Sequence, residues 1–523
     1  MALDYKTYEE AQEKFKWSER WEIFDGTKDN FNIAHECIDR HPKEDTAVRI
    51  KFADGRSEFY SFGEMSAWTS QYANMLEDLG IHQGERIAIL LQVSIQFYIS
   101  IFGIFKMGAV LVPCSPLFGS EAVNFRLEKS DAKAIVTTKD QEHLVDPVLA
   151  ERLGLTFIFV EDLLGRLKEY SDAYTPNTRA DTLAMMQFSS GTTGAPKSVM
   201  YRHGAITVSA VTMKFGNGLT NDDIYFCPSS PAWGHGIWFG TITPLIFGTA
   251  IGTLSGRFEP DKCLEALEEW GVTNMAAIAS HYRLILGSEN AEKYNLKLKK
   301  IVYTGEPMPK ELFESIKQRF GHYPATQYGS TEMGSITMDN LGFEGWVVKP
   351  GSLGKSCVGG LEVAVFDEDG HKCPPGKPGQ IGVYKNNQWV MVGDSASVDE
   401  DGYFWYAGRI DDVIISRGYT IGPVEVEQAL NKHPSVLESA VVGSPDKAGG
   451  GDIVKAFIIL KDGFNPSDGL KEEIMMFVRE KLSKHEYPKE IEFMDELPKT
   501  PDGKLKRKVL RERERMVSDG RHP

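Results

Sequence analysis

Positive charge is scarce in this chain. Its 523 residues carry 58 Lys and Arg against 74 Asp and Glu, a formal net charge of −16. Binding along a phosphate backbone needs a basic field, so a nucleic-acid platform is excluded and any anionic ligand must meet a local basic patch. Lys197, Arg409 and the stretch from Lys499 to Arg515 are the candidates. Cysteine is sparse as well: the six residues, Cys37, Cys114, Cys227, Cys263, Cys357 and Cys373, show no Cys-x-x-Cys or other ligand-like spacing. That pattern favours reduced thiols in the cytoplasm over a disulfide framework or a zinc site. Met1 to Glu19 is strongly charged, without the apolar centre of a signal peptide. One uncharged run, residues 87–105, approaches the length of a membrane span, but Gln92, Ser94 and Gln96 interrupt it. Ile87 to Leu91, following Gly84-Glu85-Arg86, is read instead as a buried strand entering a buried helix, so no membrane span is expected. No repeat and no low-complexity segment is evident.

The chain is long and its pattern alternates. A length of 523 residues exceeds one ordinary core and predicts at least two domains, and 41% hydrophobic with 25% charged residues are globular values. Apolar runs at Ala134-Ile135-Val136, Phe157 to Val160, Asn274 to Ala279 and Ile301-Val302-Tyr303 alternate with helical stretches. This predicts an α/β fold with parallel sheets covered on both faces. From Gly351 onward, turns such as Asp367-Glu368-Asp369-Gly370 and Pro374-Pro375-Gly376 separate short strands and predict a small β-rich module. A boundary at Gly408 to Asp412 divides an N-terminal domain, 1–410, from a C-terminal domain, 411–523. The latter pattern, with helices at Val424–Asn431 and Leu470–Leu482 and strands at Ser439–Val442 and Val454–Leu460, suits a small α+β lid.

Ser189-Ser190-Gly191-Thr192-Thr193-Gly194-Ala195-Pro196-Lys197 is the most telling segment, following the apolar approach of Met185, Met186 and Phe188. Glycines let a backbone come close to a ligand, amide N–H groups and hydroxyls donate to anionic oxygens, and the lysine adds a point charge. Such a loop suits phosphate, although its spacing is not that of the P-loop, which needs Gly-Lys-Ser/Thr opening a helix.

Four more segments accompany it: Tyr328-Gly329-Ser330-Thr331-Glu332, Gly393-Asp394, Tyr406-Ala407-Gly408-Arg409-Ile410-Asp411-Asp412, and Pro498-Lys499-Thr500-Pro501-Asp502-Gly503-Lys504. In this order and at these separations they resemble the adenylate-forming superfamily, which holds acyl-CoA synthetases, the adenylation domains of peptide synthetases, and luciferases. The pattern is most similar to the medium-chain and aromatic AMP-forming acyl-CoA synthetases. The resemblance runs from Ser61 to Lys506 and implies a large N-terminal α/β domain with a small mobile C-terminal one. It also implies ATP with Mg2+, a small-molecule carboxylate and coenzyme A as the reacting partners.

Residue roles follow from the resemblance and agree with side-chain chemistry. Attack of a carboxylate on the α-phosphorus needs a cation near developing negative charge and fixed geometry. Ser189, Ser190, Gly191, Thr192, Thr193, Gly194 and Lys197 match the phosphate loop; Thr331 matches the residue that holds an α-phosphate oxygen, and Glu332 the hard oxygen ligand of magnesium. Gly305-Glu306-Pro307 and Tyr328 match the two faces of the adenine site. Asp394 matches the acceptor of the ribose diol, and Arg409 the arginine reaching ribose and phosphate. Lys504 matches the lysine that bridges carboxylate and phosphate during adenylation. Asp411 matches the hinge about which the small domain turns, and Gly418 a narrow point on the pantetheine path. Trp233 and Gly234 stand at the acyl site with Gly329 and Met333; Trp233 is read either as an aromatic gate or as core, and His235 is left unassigned.

Three positions depart from the family pattern: Ser198 and Gln380 where many members carry glycine and glutamate, and Thr420 where acetyl-type and medium-chain enzymes carry arginine. Acetate-specific relatives place tryptophan where this chain has Gly329. A missing indole leaves room beside Met333 and Ile336 for an uncharged medium-length, branched, alicyclic or aromatic acid. Three readings stay open: an acyl-CoA synthetase, an enzyme loading a carrier-protein thiol, and a non-catalytic nucleotide-binding regulator. The basic stretch Lys499–Arg515 is read as a solvated tail or as a contact for CoA phosphates or an acidic carrier. Adenylation and thioester formation are reversible, so the direction from acyl-CoA, AMP and pyrophosphate toward ATP stays open beside the forward one, as does a homo-oligomer.

Overall fold

The computed structural model describes residues 3–189, 197–306, 308–330, 333–385, 387–412, 414–416, 419–445, 452–482, 487–499 and 505–518. The chain divides into two compact units, Met1–Pro350 with Gly354–Gly360, and Gly351–Leu353 with Leu361–Pro523. The expected division at 410/411 falls inside the second unit, after strand Phe404–Arg409.

Besides a three-stranded sheet of Ile251–Leu254, Thr46–Lys51 and Ser57–Ser61, the first unit holds two six-stranded sheets. One runs, across the sheet, Thr156–Phe159, Ala132–Thr137, Arg86–Leu90, Val110–Cys114, Leu183–Ser189, Lys197–Arg202, and only the last strand is antiparallel. The other places Tyr225–Phe226, Asn274–Ile278, Lys300–Thr304 and Ala325–Ser330 parallel, followed by antiparallel Gly334–Met338 and Lys355–Ser356. Burial on both faces explains why these strands read as continuous apolar runs. The uncharged run 87–105 resolves as expected into strand Arg86–Leu90 and helix Ile95–Met107. The Ser94 hydroxyl accepts from the Phe97 N–H at the helix start, and Gly108 at φ 84 ends it. Among the described residues no helix is long and apolar enough to cross a membrane.

The second unit holds a four-stranded antiparallel sheet, Glu362–Phe366, Gly379–Lys385, Gln388–Val398 and Phe404–Arg409, which is the expected β-rich module. After it come the ribbon Ile414–Ser416 with Tyr419–Ile421 and a three-stranded sheet of Val436–Pro445, Asp452–Leu460 and Glu490–Phe493. Helices Pro423–Leu430 and Asp468–Lys481 pack on that sheet through Val426, Leu430, Ile474 and Val478.

Part of the basic C-terminal stretch departs from its reading as a solvated tail. Arg507–Ser518 is a helix, and its Leu510 is buried against Ala440, Val442, Phe457 and Leu497. Arg507, Arg511 and Arg513 are paired with Glu427, Asp412 and Glu492. The arginines serve the unit's own packing because each meets an internal carboxylate.

Candidate active site

Parallel strands bring Ser189, Gly305, Glu306 and Tyr328 to the carboxyl ends of the two six-stranded sheets, where α/β folds place their ligands. Leu183–Ser189 pairs with Lys197–Arg202 in a hairpin whose register sets Ser189 opposite Lys197. The return strand therefore brings the exposed lysine back to the level of the loop's first hydroxyl residue. Residues 190–196, which include Ser190, Gly191, Thr192, Thr193 and Gly194, lie outside the described residues, as does the side chain of Ser189.

Alternation along the approach strand sorts its side chains. Met186 and Phe188 pack with Val112 and Cys114, while Met185 faces the opposite core with Ile237 and Trp238. Gln187 shares the Met185 face, is 3% exposed, and its Oε1 finds no hydrogen-bond partner among the described residues. A buried carboxamide is costly when unsatisfied. Gly234 is its neighbour: among the described residues a Cβ built there would reach only the Gln187 Nε2, at 4.0 Å. Trp233 is half-buried, and its ring meets Phe118 edge-on at 5.9 Å and 86°. The core reading of Trp233 therefore gives way to that of a partly open aromatic wall.

His235, unassigned from sequence, accepts or donates at Nδ1 to the Ser229 hydroxyl at 2.9 Å and stacks on Phe239. Nearby His281 stacks on Phe258 at 4.0 Å, and burial, with His235 adding to it, pushes its pKa down to about 3. Neutral imidazole is thus the form of His281 at physiological pH.

Strand Lys300–Thr304 ends in Gly305, at φ 87, and Glu306. The Glu306 carboxylate accepts from the Ser280 N–H at 2.5 Å, so it also braces the start of helix Ala279–Leu286. Next in the sheet, the Thr304 hydroxyl donates to the Gln327 carbonyl at 2.6 Å, which sets half-buried Tyr328 beside the Gly305–Glu306 turn. Pro307, Thr331 and Glu332 lie outside the described residues. Their flanking residues Ser330 and Met333 are joined by the Met333 N–H donating to the Ser330 hydroxyl at 3.2 Å.

Gly329 has a backbone reason. It sits at an irregularity of the Ala325–Ser330/Gly334–Met338 pairing, and a Cβ there would lie 2.1 Å from the Gly334 carbonyl oxygen. Its side-chain direction points into the hairpin, so the room expected from a missing indole does not follow from position 329.

In the second unit, Asp394 stands directly across from Arg409 in the antiparallel register. The Tyr406 hydroxyl donates to Asp394 Oδ1 at 3.4 Å, and burial followed by the Asp394 charge holds that phenol well above its ordinary pKa. Gly393 is at φ 80, a backbone conformation that favours glycine, and the Arg409 Nη2 lies 3.6 Å from where a Cβ would stand. One acceptor and one cation thus share an edge of the sheet beside a neutral phenol. Gly418 and Lys504 lie outside the described residues, as does the side chain of Asp411.

The profile of the family described as AMP-binding enzyme matches residues 34–393, and that of the AMP-binding enzyme C-terminal domain matches residues 425–504. The chain is 35% identical to the acetyl-coenzyme A synthetase of Bacillus subtilis, over 97% of this chain and 95% of that protein. The chain belongs to the AMP-forming acyl-CoA synthetases. It is also 31% identical to the mitochondrial acyl-coenzyme A synthetase ACSM3 of Homo sapiens, over 98% of this chain and 93% of that protein. Among solved structures, a benzoate CoA ligase of Burkholderia xenovorans superposes with a TM-score of 0.81 at 27% identity, covering 92% of this chain and 100% of that one.

An acyl-CoA synthetase of this kind works in two displacements. A carboxylate oxygen attacks the α-phosphorus of Mg-ATP and pyrophosphate leaves; the CoA sulfur then attacks the acyl carbon of the adenylate and AMP leaves. Sequence reasoning passed over Gln187 and Phe118. Gln187 could have been found as the one amide in the apolar run Met185-Met186-Gln187-Phe188; Phe118 carried no signal until the fold set it against Trp233.

Proposed function

We propose that the activated acid is an uncharged medium-length, branched, alicyclic or aromatic carboxylate, seated between the Trp233–Phe118 edge and Gly234. The observation that carries this reading is the space at Gly234, whose missing side chain would meet nothing nearer than Gln187 at 4.0 Å among the described residues. Position 329 does not contribute to it. The Bacillus subtilis relative is named for acetate and the Burkholderia ligase for benzoate, and the room at Gly234 favours the larger class. A panel from acetate to octanoate, with benzoate and cyclohexanecarboxylate, tests the proposal by AMP release with and without CoA. A preference for acetate over all larger acids rejects it.

In this reading Lys504 bridges carboxylate and phosphate during adenylation only, Thr331 holds the α-phosphate, and Glu332 is the magnesium ligand. Asp394 takes the ribose diol, Arg409 supports ribose and phosphate, and Gly305, Glu306, Pro307 and Tyr328 flank adenine. Asp411 is the hinge between adenylation and thioester formation, and Gly418 borders the thiol path. Lys504→Ala should abolish acyl-adenylate formation and spare thioester formation from supplied acyl-adenylate; equal loss of both half-reactions would remove the lysine from this role. The cysteines carry no disulfide among the described residues, and all but Cys373 are buried, in keeping with a cytoplasmic setting.

A further inference from the structure

The second unit contains a buried ion cluster that the reaction as described leaves without a role. Arg507, in the first turn of the helix Arg507–Ser518, donates through Nε and Nη2 to the two carboxylate oxygens of Glu427 at 2.9 and 2.6 Å. Its Nη1 lies 3.4 Å from Asp412 Oδ2, and Arg511, one turn on, bonds the other oxygen of Asp412. Glu427 Oε1 also accepts from the Val441 N–H at 2.8 Å. Asp412 and Glu427 are 7% and 8% exposed. At Glu427 burial outweighs the Arg507 charge and raises the pKa, whereas at Arg507 the Glu427 and Asp412 charges more than offset burial and hold the pKa above the ordinary guanidinium value.

A buried ion pair is weak evidence of net stability, since apolar residues of similar volume often serve as well. Its better-attested use is to fix one arrangement, and a two-pronged guanidinium–carboxylate pair fixes orientation as well as distance. Here the parts it fixes matter. Asp412 follows Asp411 directly in sequence. Arg507 follows Leu505 and Lys506, and these form the neck of the 500–504 segment: Lys499 bridges to Leu505, and the Lys506 N–H donates to the Pro498 carbonyl at 2.8 Å. Leu505 packs on the small core of Val442, Phe457, Leu497 and Leu510. Lys499 adds an ion pair to Glu438 at 2.7 Å.

We propose that Arg507 is a positioning residue for adenylation: by joining Asp412 and Glu427 it ties the neck at Lys499 and Leu505 to the residue after Asp411, so that a turn at the hinge moves the neck as one piece. This rests on the roles assigned above to Lys504 and Asp411. Without the tie, the hinge region and the neck lose their fixed relation, and the half-reaction that needs Lys504 suffers while the other does not.

The test uses the full chain and reads three quantities for each variant: acyl-adenylate formation as acid-dependent ATP–pyrophosphate exchange, thioester formation from supplied acyl-adenylate, and the thermal midpoint. Arg507→Met should lower the exchange roughly ten- to a hundredfold, the penalty of a misplaced reacting group. Thioester formation should stay within about threefold of wild type, less than one misplaced group costs. Arg507→Lys keeps the charge without the fork and should recover only part of the exchange. Asp412→Asn, nearly isosteric, guards against a failure to fold and should shift the same ratio in the same direction. Proportional loss of both half-reactions in Arg507→Met and Asp412→Asn, or no loss in either, overturns the proposal. Lys504→Ala, run in parallel, separates the two readings: if it spares adenylation the lysine's role falls, and if it abolishes adenylation while Arg507→Met does not, the tie alone falls.

Discussion

At the scale of single residues, the proposed acyl site places the acid beside Gly234 and Gln187. Gly234→Val should fill the space toward Gln187 and cut turnover of six- to eight-carbon and aromatic acids by about tenfold or more, the effect of roughly 1–3 kcal/mol of overpacking, while acetate is hurt less. The ratio of acyl-CoA formed from hexanoate to that from acetate is the measurement, and an unchanged ratio would remove Gly234 from the pocket. Gln187→Leu removes a buried carboxamide whose Oε1 has no hydrogen-bond partner among the described residues, so apolar acids should gain in kcat/KM and hydroxyl- or amino-bearing analogues should lose. Parallel loss for both classes would show that Gln187 serves the fold instead. The phosphate loop with Lys197 stood out in sequence by its glycines, hydroxyls and charge, whereas the roles expected of Asp394 and Arg409 rest on their places in the family motifs. The reason for Gly329 was not legible there, because only the fold shows the Gly334 carbonyl 2.1 Å from its absent Cβ. Size effects of a Gly329→Trp variant must accordingly be read against Gly329→Ala, which already strains the hairpin.

At the scale of elements, periodicity carried as far as burial was uniform. The parallel strands and the helices Pro423–Leu430 and Asp468–Lys481 were readable from their apolar runs. The Ile414–Ser416 ribbon was not, being three residues long, nor was the helix Arg507–Ser518, in which the run Arg-Glu-Arg-Glu-Arg hides the buried Leu510 and the carboxylates that pair with its arginines. Asp339 closes the strand Gly334–Met338 in a similarly unannounced way: its carboxyl accepts from the Thr326 N–H at 2.8 Å and the Trp346 indole N–H at 3.0 Å. Burial raises its pKa to about 7, the two donors opposing that shift. The unfolded carboxyl titrates near 3.9, so between about pH 4 and pH 7 the unfolded state releases a proton that the folded state retains. Stability relative to Asp339→Asn should therefore fall by on the order of a few kcal/mol as pH rises across that window and stay level above it. Thermal midpoints of both proteins from pH 4 to 9 measure this, and parallel curves would show that Asp339 is ionised in the fold.

At the scale of the whole molecule, each compact unit closes its own cores. Ile414, Val441, Ile458 and Ile474 cluster with one another, as do Val442, Phe457 and Leu510, whereas the large clusters around Phe102 and Phe313 use residues of the first unit only. Separate cores predict separate cooperativity. Phe457 is fully buried, so Phe457→Ala should cost about 3–5 kcal/mol, but to the second unit alone. Hydrogen exchange should then quicken in peptides spanning Val436–Pro445 and Asp452–Leu460 while those spanning Arg86–Leu90 and Val110–Cys114 keep wild-type protection. The variant also loosens the core on which Leu505 rests, so its ATP–pyrophosphate exchange should fall further than its thioester half-reaction. Faster exchange throughout both units would mean that the molecule unfolds as one.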